Sequence, residues 1–282
     1  MGYGQCNGIQ FENIAVFDIE TIPDTSLASE LCDINEEAIK NMTQMEIRKE
    51  MENYHVDNHN NSFLRQPFHR IACISFLTAK IDYSFGKEKY IFNQLESYSS
   101  FKSTEEKVVK DFWALLEEKK PRIISFNGRV FDINVLKCKA LKYGLDCGWY
   151  FNLGGKFEGY EYPYSNSHFD LLNKYGHYTL HEICILLNIP CKLGVNGSCV
   201  AEYVDDKKYN EIREYCETDV LATYLVYLRM ALTQGIIDKN GYNDAVTDIE
   251  EHLKKKQDEK KGLKEFLDAW YKLNPGGILL ND

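Results

Sequence analysis

The stretch that most constrains this chain is Asn13-Ile14-Ala15-Val16-Phe17-Asp18-Ile19, an apolar run that reads as a buried strand ending in acids. Asp18 and Glu20 stand two apart, and a period of two puts both carboxylates on one face of a sheet. Two like charges held that close raise each other's pKa and destabilise the fold unless a cation sits between them. Polar residues also close many ordinary strands, so the pair alone does not decide between a site and a strand end.

The rest of the chain supplies the elements around that strand. Residues 24–66 are polar and partly helical in pattern, and read as an insertion with a helix around 35–53. Residues 70–79 read as a second strand. Tyr83–Phe85 offer a turn and Lys89–Phe92 a third, short strand. Thr104 starts a helix whose first turn holds Glu105 and Glu106 and whose stripe is Val108, Phe112, Leu115 and Leu116. Arg122–Phe126 is a fourth strand, Phe131–Tyr143 a helix closed by Gly144, and His168–Leu172 a short extended piece. Leu180–Leu187 is a short helix. Lys207–Met230 is a long one, with Ile212, Cys216, Val220, Thr223 and Tyr227 on one face. Two charged helical stretches follow within 241–273, in a C-terminal extension (233–282) expected to pack on the same domain. This order predicts an α/β domain with a mixed sheet flanked by helices.

Composition narrows the function. Hydrophobic residues are 44% and charged residues 27% of 282, as in a folded soluble protein rather than a disordered one. The 43 acids against 33 bases leave a net charge of -10, which argues against sequence-blind coating of DNA. It leaves room for a nucleic-acid enzyme whose acidic centre holds divalent cations and whose basic residues stay local to the substrate groove. No run of about 18 apolar residues suggests a membrane span. The first ten residues lack a basic start and an apolar stretch, and Cys6 stands where a myristoylation motif takes Ser or Thr. The 9 cysteines are scattered and unpaired in pattern, as expected of free thiols in a reducing cytoplasm. There is no P-loop, and His181-Glu182 begins a zinc-protease motif that lacks its second His.

Two further carboxylates matter. Asp132 follows the fourth strand directly, at the start of a helix, where it reads as a helix cap or as a site residue. Tyr215 and Asp219 lie four apart and share a helix face among apolar neighbours. An Asp there needs a partner, because a bare buried carboxylate is costly. Three carboxylate stations on a strand, a helix start and a helix face form a set that suits hard divalent ions, which choose oxygen ligands. Two such ions can clamp an in-line displacement at phosphorus.

The segments FDIET (17–21), NGRVFDINVL (127–136) and YCETD (215–219) resemble the three motifs of the DEDD exonuclease superfamily. The Tyr-x-x-x-Asp spacing resembles its DEDDy branch; the His-type sibling would carry His where this chain has Glu214. With FHRIACISF (68–76), HFDLL (168–172) and KLGVNGSCV (192–200), the pattern over roughly 11–232 is similar to predicted 3′–5′ exonucleases related to the proofreading domain of family B DNA polymerases. The resemblance implies a ribonuclease H-like fold and two divalent cations, magnesium or manganese. It implies Asp18, Glu20 and Asp219 as ligands of the first ion. Asp18 also reaches the second, with Asp132 contacting that ion's shell directly or through water. Tyr215 would orient the attacking water. A phenol near pKa 10 is mostly protonated at neutral pH and is a poor general base.

Substrate contacts follow less directly. The Thr21 backbone, Asn127 and Phe131 match positions that hold the terminal nucleotide in proofreading domains; Phe131 equally fits a core. Asp170 reads as a further acid or a turn cap, and Lys192 as a phosphate contact or a solvated lysine. The expected reaction is release of nucleoside 5′-monophosphates from the 3′ end of single-stranded DNA in the cytoplasm, with proofreading or repair in trans beside a DNA polymerase or repair protein. An exoribonuclease, a catalytically silent nucleic-acid-binding or replication scaffold, and a small-molecule phosphodiesterase are the rival readings.

Overall fold

Among the described residues, five strands form one mixed sheet in the order β3-β2-β1-β4-β5. This computed structural model describes residues 10–152, 159–163, 165–172, 176, 178–193 and 197–280. Strand β1 (Asn13–Pro23) pairs antiparallel with β2 (His69–Ser84), which pairs antiparallel with β3 (Lys87–Ser99). On its other side β1 runs parallel to β4 (Arg122–Ser125), and β4 to β5 (His168–Asp170). With its flanking helices this is a ribonuclease H-like α/β fold, as the resemblance implied.

The insertion is not one helix. It folds as α1 (Ala28–Cys32), α2 (Glu36–Lys40) and α3 (Gln44–His59). Asp33 takes a left-handed φ of 52° that ends α1, and Thr43 and Glu46 form a capping box that starts α3 afresh. Ala28, Ile47, Met51 and Leu64 give the insertion a small core of its own.

The hairpin is longer than the sequence suggested. Strand β3 spans 13 residues, because its apolar positions alternate with solvated polar ones and only one face is covered. The two-residue turn uses Phe85 at φ 49° and Gly86 at φ 76°, the doubly positive geometry that matches the twist of a hairpin.

Helix α4 (Glu105–Lys119) covers one sheet face, where Phe112 packs 5.2 Å from Phe17 and 6.0 Å from Phe76, centroid to centroid. Among the described residues there follow α5 (Asp132–Tyr143), α6 (Gly148–Asn152) and α7 (Leu180–Leu187). Helix α8 (Val200–Asp205) leads into α9 (Tyr209–Thr233), which lies on the opposite sheet face against β1 and β2. Arg48 of α3 forms an ion pair with Asp205, tying the insertion to α8.

Helix α10 (Lys239–Lys256) packs along β3, with the Phe92 amide donating to Asp248 at 3.2 Å. Helix α11 (Lys261–Leu273) docks on α9. The Gly262 amide donates to Glu214 at 2.6 Å, and Lys260 pairs with both oxygens of fully buried Glu217 at 2.8 Å. A Cβ on Gly262 would stand 2.9 Å from the Glu214 Cβ, so the close approach requires glycine there. No helix among the described residues is long and apolar enough to cross a membrane.

Candidate active site

The acids of β1 do not end the strand. It continues to Pro23, and Asp18 and Glu20 sit in its second half. Pairing between β1 and β4 stops at Val16, because β4 is only four residues long. Beyond Val16, β1 therefore keeps β2 on one side and opens a crevice on the other. The bare edge is met by Asp132, at the first position of α5, whose Oδ1 accepts the Ile19 amide at 3.1 Å. The pairing with β2 also slips by one residue between Glu20 and Thr21, a bulge of the kind that re-aims side chains beside functional sites.

Across the crevice, α9 brings Tyr215, Cys216 and Asp219. The Cys216 thiol donates toward the Asp18 carbonyl at 3.4 Å and its carboxylate at 3.6 Å. Asp18, Glu20 and Cys216 each offer a ligand atom within 4.8 Å of the others. Asp132 and Asp219 stand outside that tight group, yet near enough to push the proton affinities of Asp18 and Glu20 upward.

The electrostatics are those of an uncompensated acidic centre. Burial, and then the charges of Asp132, Glu20 and Asp219, hold the Asp18 carboxyl well above the usual range. Burial and then Asp219 do the same for Glu20. Burial pushes Asp132 up to about 7 and Asp219 up to about 6. The neighbouring Tyr215 phenol and exposed Lys192 pull Asp219 back only in part. Among the described residues no ion pair joins any of these four carboxylates to a basic side chain, and Asp219 Oδ1 is buried without a hydrogen-bond partner. Four oxygen-donor groups, one of them orphaned, fit a hard divalent cation such as magnesium or manganese. Burial, then Asp219, Glu20 and Asp18, raise the Tyr215 phenol above its ordinary value, so it stays protonated.

The loop between β4 and α5 is built around Asp170. Its carboxylate, 1% exposed, accepts the amides of Asn127 at 2.9 Å, Arg129 at 2.9 Å and Leu172 at 3.1 Å. Asp170 is thus tied to backbone, in the manner of a turn cap, and fixes the loop that delivers Asp132. Asn127 takes a left-handed φ of 64°. A Cβ on Gly128 would meet Ser125 at 2.5 Å, so this tight turn needs glycine. Thr21 Oγ1 shares a hydrogen bond of 2.9 Å with His69 Nδ1. Phe131 is half-buried against His69 and Phe63 rather than sealed in the core.

Three features escaped the sequence reading. Cys216 reads as an apolar-face residue, although its place three before Asp219 on one helix face was a usable signal. Cys73, opposite Glu20 in the register, was hidden inside a strand. Phe63 lay in a segment whose helices could be read but whose partners could not. Glu214, where the His-type sibling would carry histidine, is committed to the Gly262 amide.

A family model described as "Predicted 3'-5' exonuclease related to the exonuclease domain of PolB" matches residues 61–270. No curated protein matches the chain. The matched segment starts after β1, so Asp18 and Glu20 precede it, and it is the fold that gathers them with Asp132 and Asp219.

Proposed function

The chain belongs to the family of predicted 3′–5′ exonucleases related to the exonuclease domain of PolB, and on that premise we propose that it removes nucleoside 5′-monophosphates from the 3′ end of single-stranded DNA. The observation that carries this reading is the convergence of Asp18, Glu20, Asp132 and Asp219, with no ion pair to any of them among the described residues. The relation to a DNA polymerase domain favours DNA over RNA.

In this reading Asp18, Glu20 and Asp219 would hold one magnesium or manganese ion, and Asp18 would reach a second, with Asp132 contacting that ion's shell directly or through water. Bound there, such ions neutralise charge on the scissile phosphate and make water acidic enough to attack at neutral pH. The chain's own residues do the rest. Tyr215, kept protonated by burial and then by the acids around it, donates a hydrogen bond that orients the attacking water. Asp219 lies one turn along the same rigid helix, which fixes its distance from the phenol. The Asp132–Ile19 bond sets the width of the crevice between β1 and α5. Asp170, through the amides of Asn127, Arg129 and Leu172, holds the loop whose Asn127 and Phe131 would meet a terminal nucleotide, and Thr21 offers its backbone. The exposed Lys192, whose charge acts on Asp219, supports a phosphate contact in this reading. Glu214, where the His-type sibling would carry histidine, is engaged by the Gly262 amide, which supports the tyrosine-type assignment.

The test uses matched DNA and RNA strands labelled at the 5′ end, with magnesium or manganese. Stepwise shortening from the 3′ end of the DNA, stopped by chelator, is the expected result. An undiminished rate in Asp18→Ala would overturn the site.

A further inference from the structure

Three aromatic rings meet at the rim of the crevice. Phe63 lies 5.3 Å from Phe131 and 5.0 Å from His69, and His69 lies 5.0 Å from Phe131, centroid to centroid. Two of the three touch site residues covalently or by hydrogen bond. Phe131 directly precedes Asp132, and His69 holds Thr21, the neighbour of Glu20. Phe63 comes from the end of the insertion and is 57% exposed.

Core packing does not account for that ring. A phenylalanine fixed for packing would be covered, whereas here one side rests on two rings and the rest faces water. The backbone beside it is anchored at several points. Leu64, 3% exposed, is locked in the insertion's core, and its carbonyl accepts from the His69 ring at 2.8 Å. The Phe63 amide donates to Asn61 at 2.9 Å, and Gln66 reaches the Val130 carbonyl at 3.3 Å, joining the insertion to the loop that delivers Asp132. An exposed ring on a fixed backbone, continuous with a second ring at the centre, is a preorganised stacking platform. Stacking suits a strand-degrading enzyme because every base has a π-face, so the contact tolerates any sequence.

We infer that Phe63 is a specificity-determining residue that stacks on a base of the bound single strand inward of its 3′-terminal nucleotide, and that the insertion over 24–66 forms the wall of the substrate groove that carries it. The inference rests on the exonuclease reading above. Through this ring the insertion lets the enzyme prefer a strand over a mononucleotide ester.

The experiment compares full-length wild type, Phe63→Ala and Phe63→Trp on two substrates, a single-stranded oligonucleotide and the p-nitrophenyl ester of thymidine 5′-monophosphate, which offers no second base. Phe63→Ala is expected to lower the strand-to-ester ratio of kcat/KM by about 5- to 150-fold, the range of one lost base stack. Phe63→Trp should restore the ratio, and its added emission should be quenched when the oligonucleotide binds. If wild type degrades the strand and Phe63→Ala leaves the ratio unmoved, the stacking role falls and the exonuclease reading stands. A ring that only braces the fold would lower both activities together, and that result equally overturns the stacking role. If wild type degrades no strand, both readings fall.

Discussion

The two halves of β1 are one strand built for opposite ends. From Ile14 to Val16 it lies between β2 and β4, and its side chains are 0–1% exposed. At Asp18 and Glu20 it has lost β4, and these two side chains are carboxylates that repel each other. The first half contributes burial and holds the sheet together. The second half spends stability to gather charge. A strand can do both because its neighbour on one side is short.

That contrast can be tested by swapping which half is damaged. The largest expected effect is on turnover. Asp18→Ala or Asp219→Ala should cut it by more than about a hundredfold, since even outer partners of a metal site commonly cost 10–100-fold. Circular dichroism should show the fold retained. Ile14→Ala should do the reverse: a loss of roughly 2–5 kcal/mol in denaturant unfolding, with near-normal turnover per folded molecule. Equal damage to turnover from both halves would erase the distinction.

The second test is pH. Carboxylates raised in the fold bind protons more tightly there than in the unfolded chain. Their contribution to metal-free stability is therefore best below about pH 4 and is lost as pH rises towards 7, the value to which Asp132 is pushed. At pH 8 in chelator, Asp132→Asn should raise the melting midpoint by roughly 3–6 °C, while its amide oxygen still accepts from Ile19. Added magnesium should stabilise wild type more than this variant. A lower midpoint in the variant would mean that the acids are not strained against one another.

Smaller effects sharpen the role of the supporting loop. Gly128→Ala, with its Cβ driven against Ser125, should cost about 1–3 kcal/mol and reduce turnover by displacing Asp132. Tyr215→Phe should retain activity at about a tenth of wild type, the loss of one hydrogen bond, with melting unchanged. Complete inactivation by Tyr215→Phe would instead point to a proton-transfer role.

Much of this was legible from residues alone, for identifiable reasons. The first strand is a near-continuous apolar run, the helix after Thr104 is capped, and the long helix around Tyr215 is an unbroken stretch without Gly or Pro. The acids could be paired with their elements because a strand edge and a helix turn fix side-chain direction locally. What could not be read depended on partners far along the chain. The full length of β3 depends on pairing with β2 over a solvated face. The break of the insertion into three helices turns on one left-handed Asp33 and the Thr43 box. The service of Asp170 to three amides, and the meeting of Phe63 with Phe131, are products of tertiary folding with no periodic signature.

The latch between the tail and α9 has a bearing on how this protein can be cut or fused. Glu217 is wholly enclosed and relies on Lys260, on Ser97 at 2.6 Å and on Arg213 at 3.9 Å. Trimming the polypeptide before Lys260 would strand an anion two residues from Tyr215 and two from Asp219, with its main counterion gone. The final helices thus act as a keystone for α9, which carries Tyr215 and Asp219, and on the proposed reading a tag or deletion that disturbs them would be felt first as lost activity.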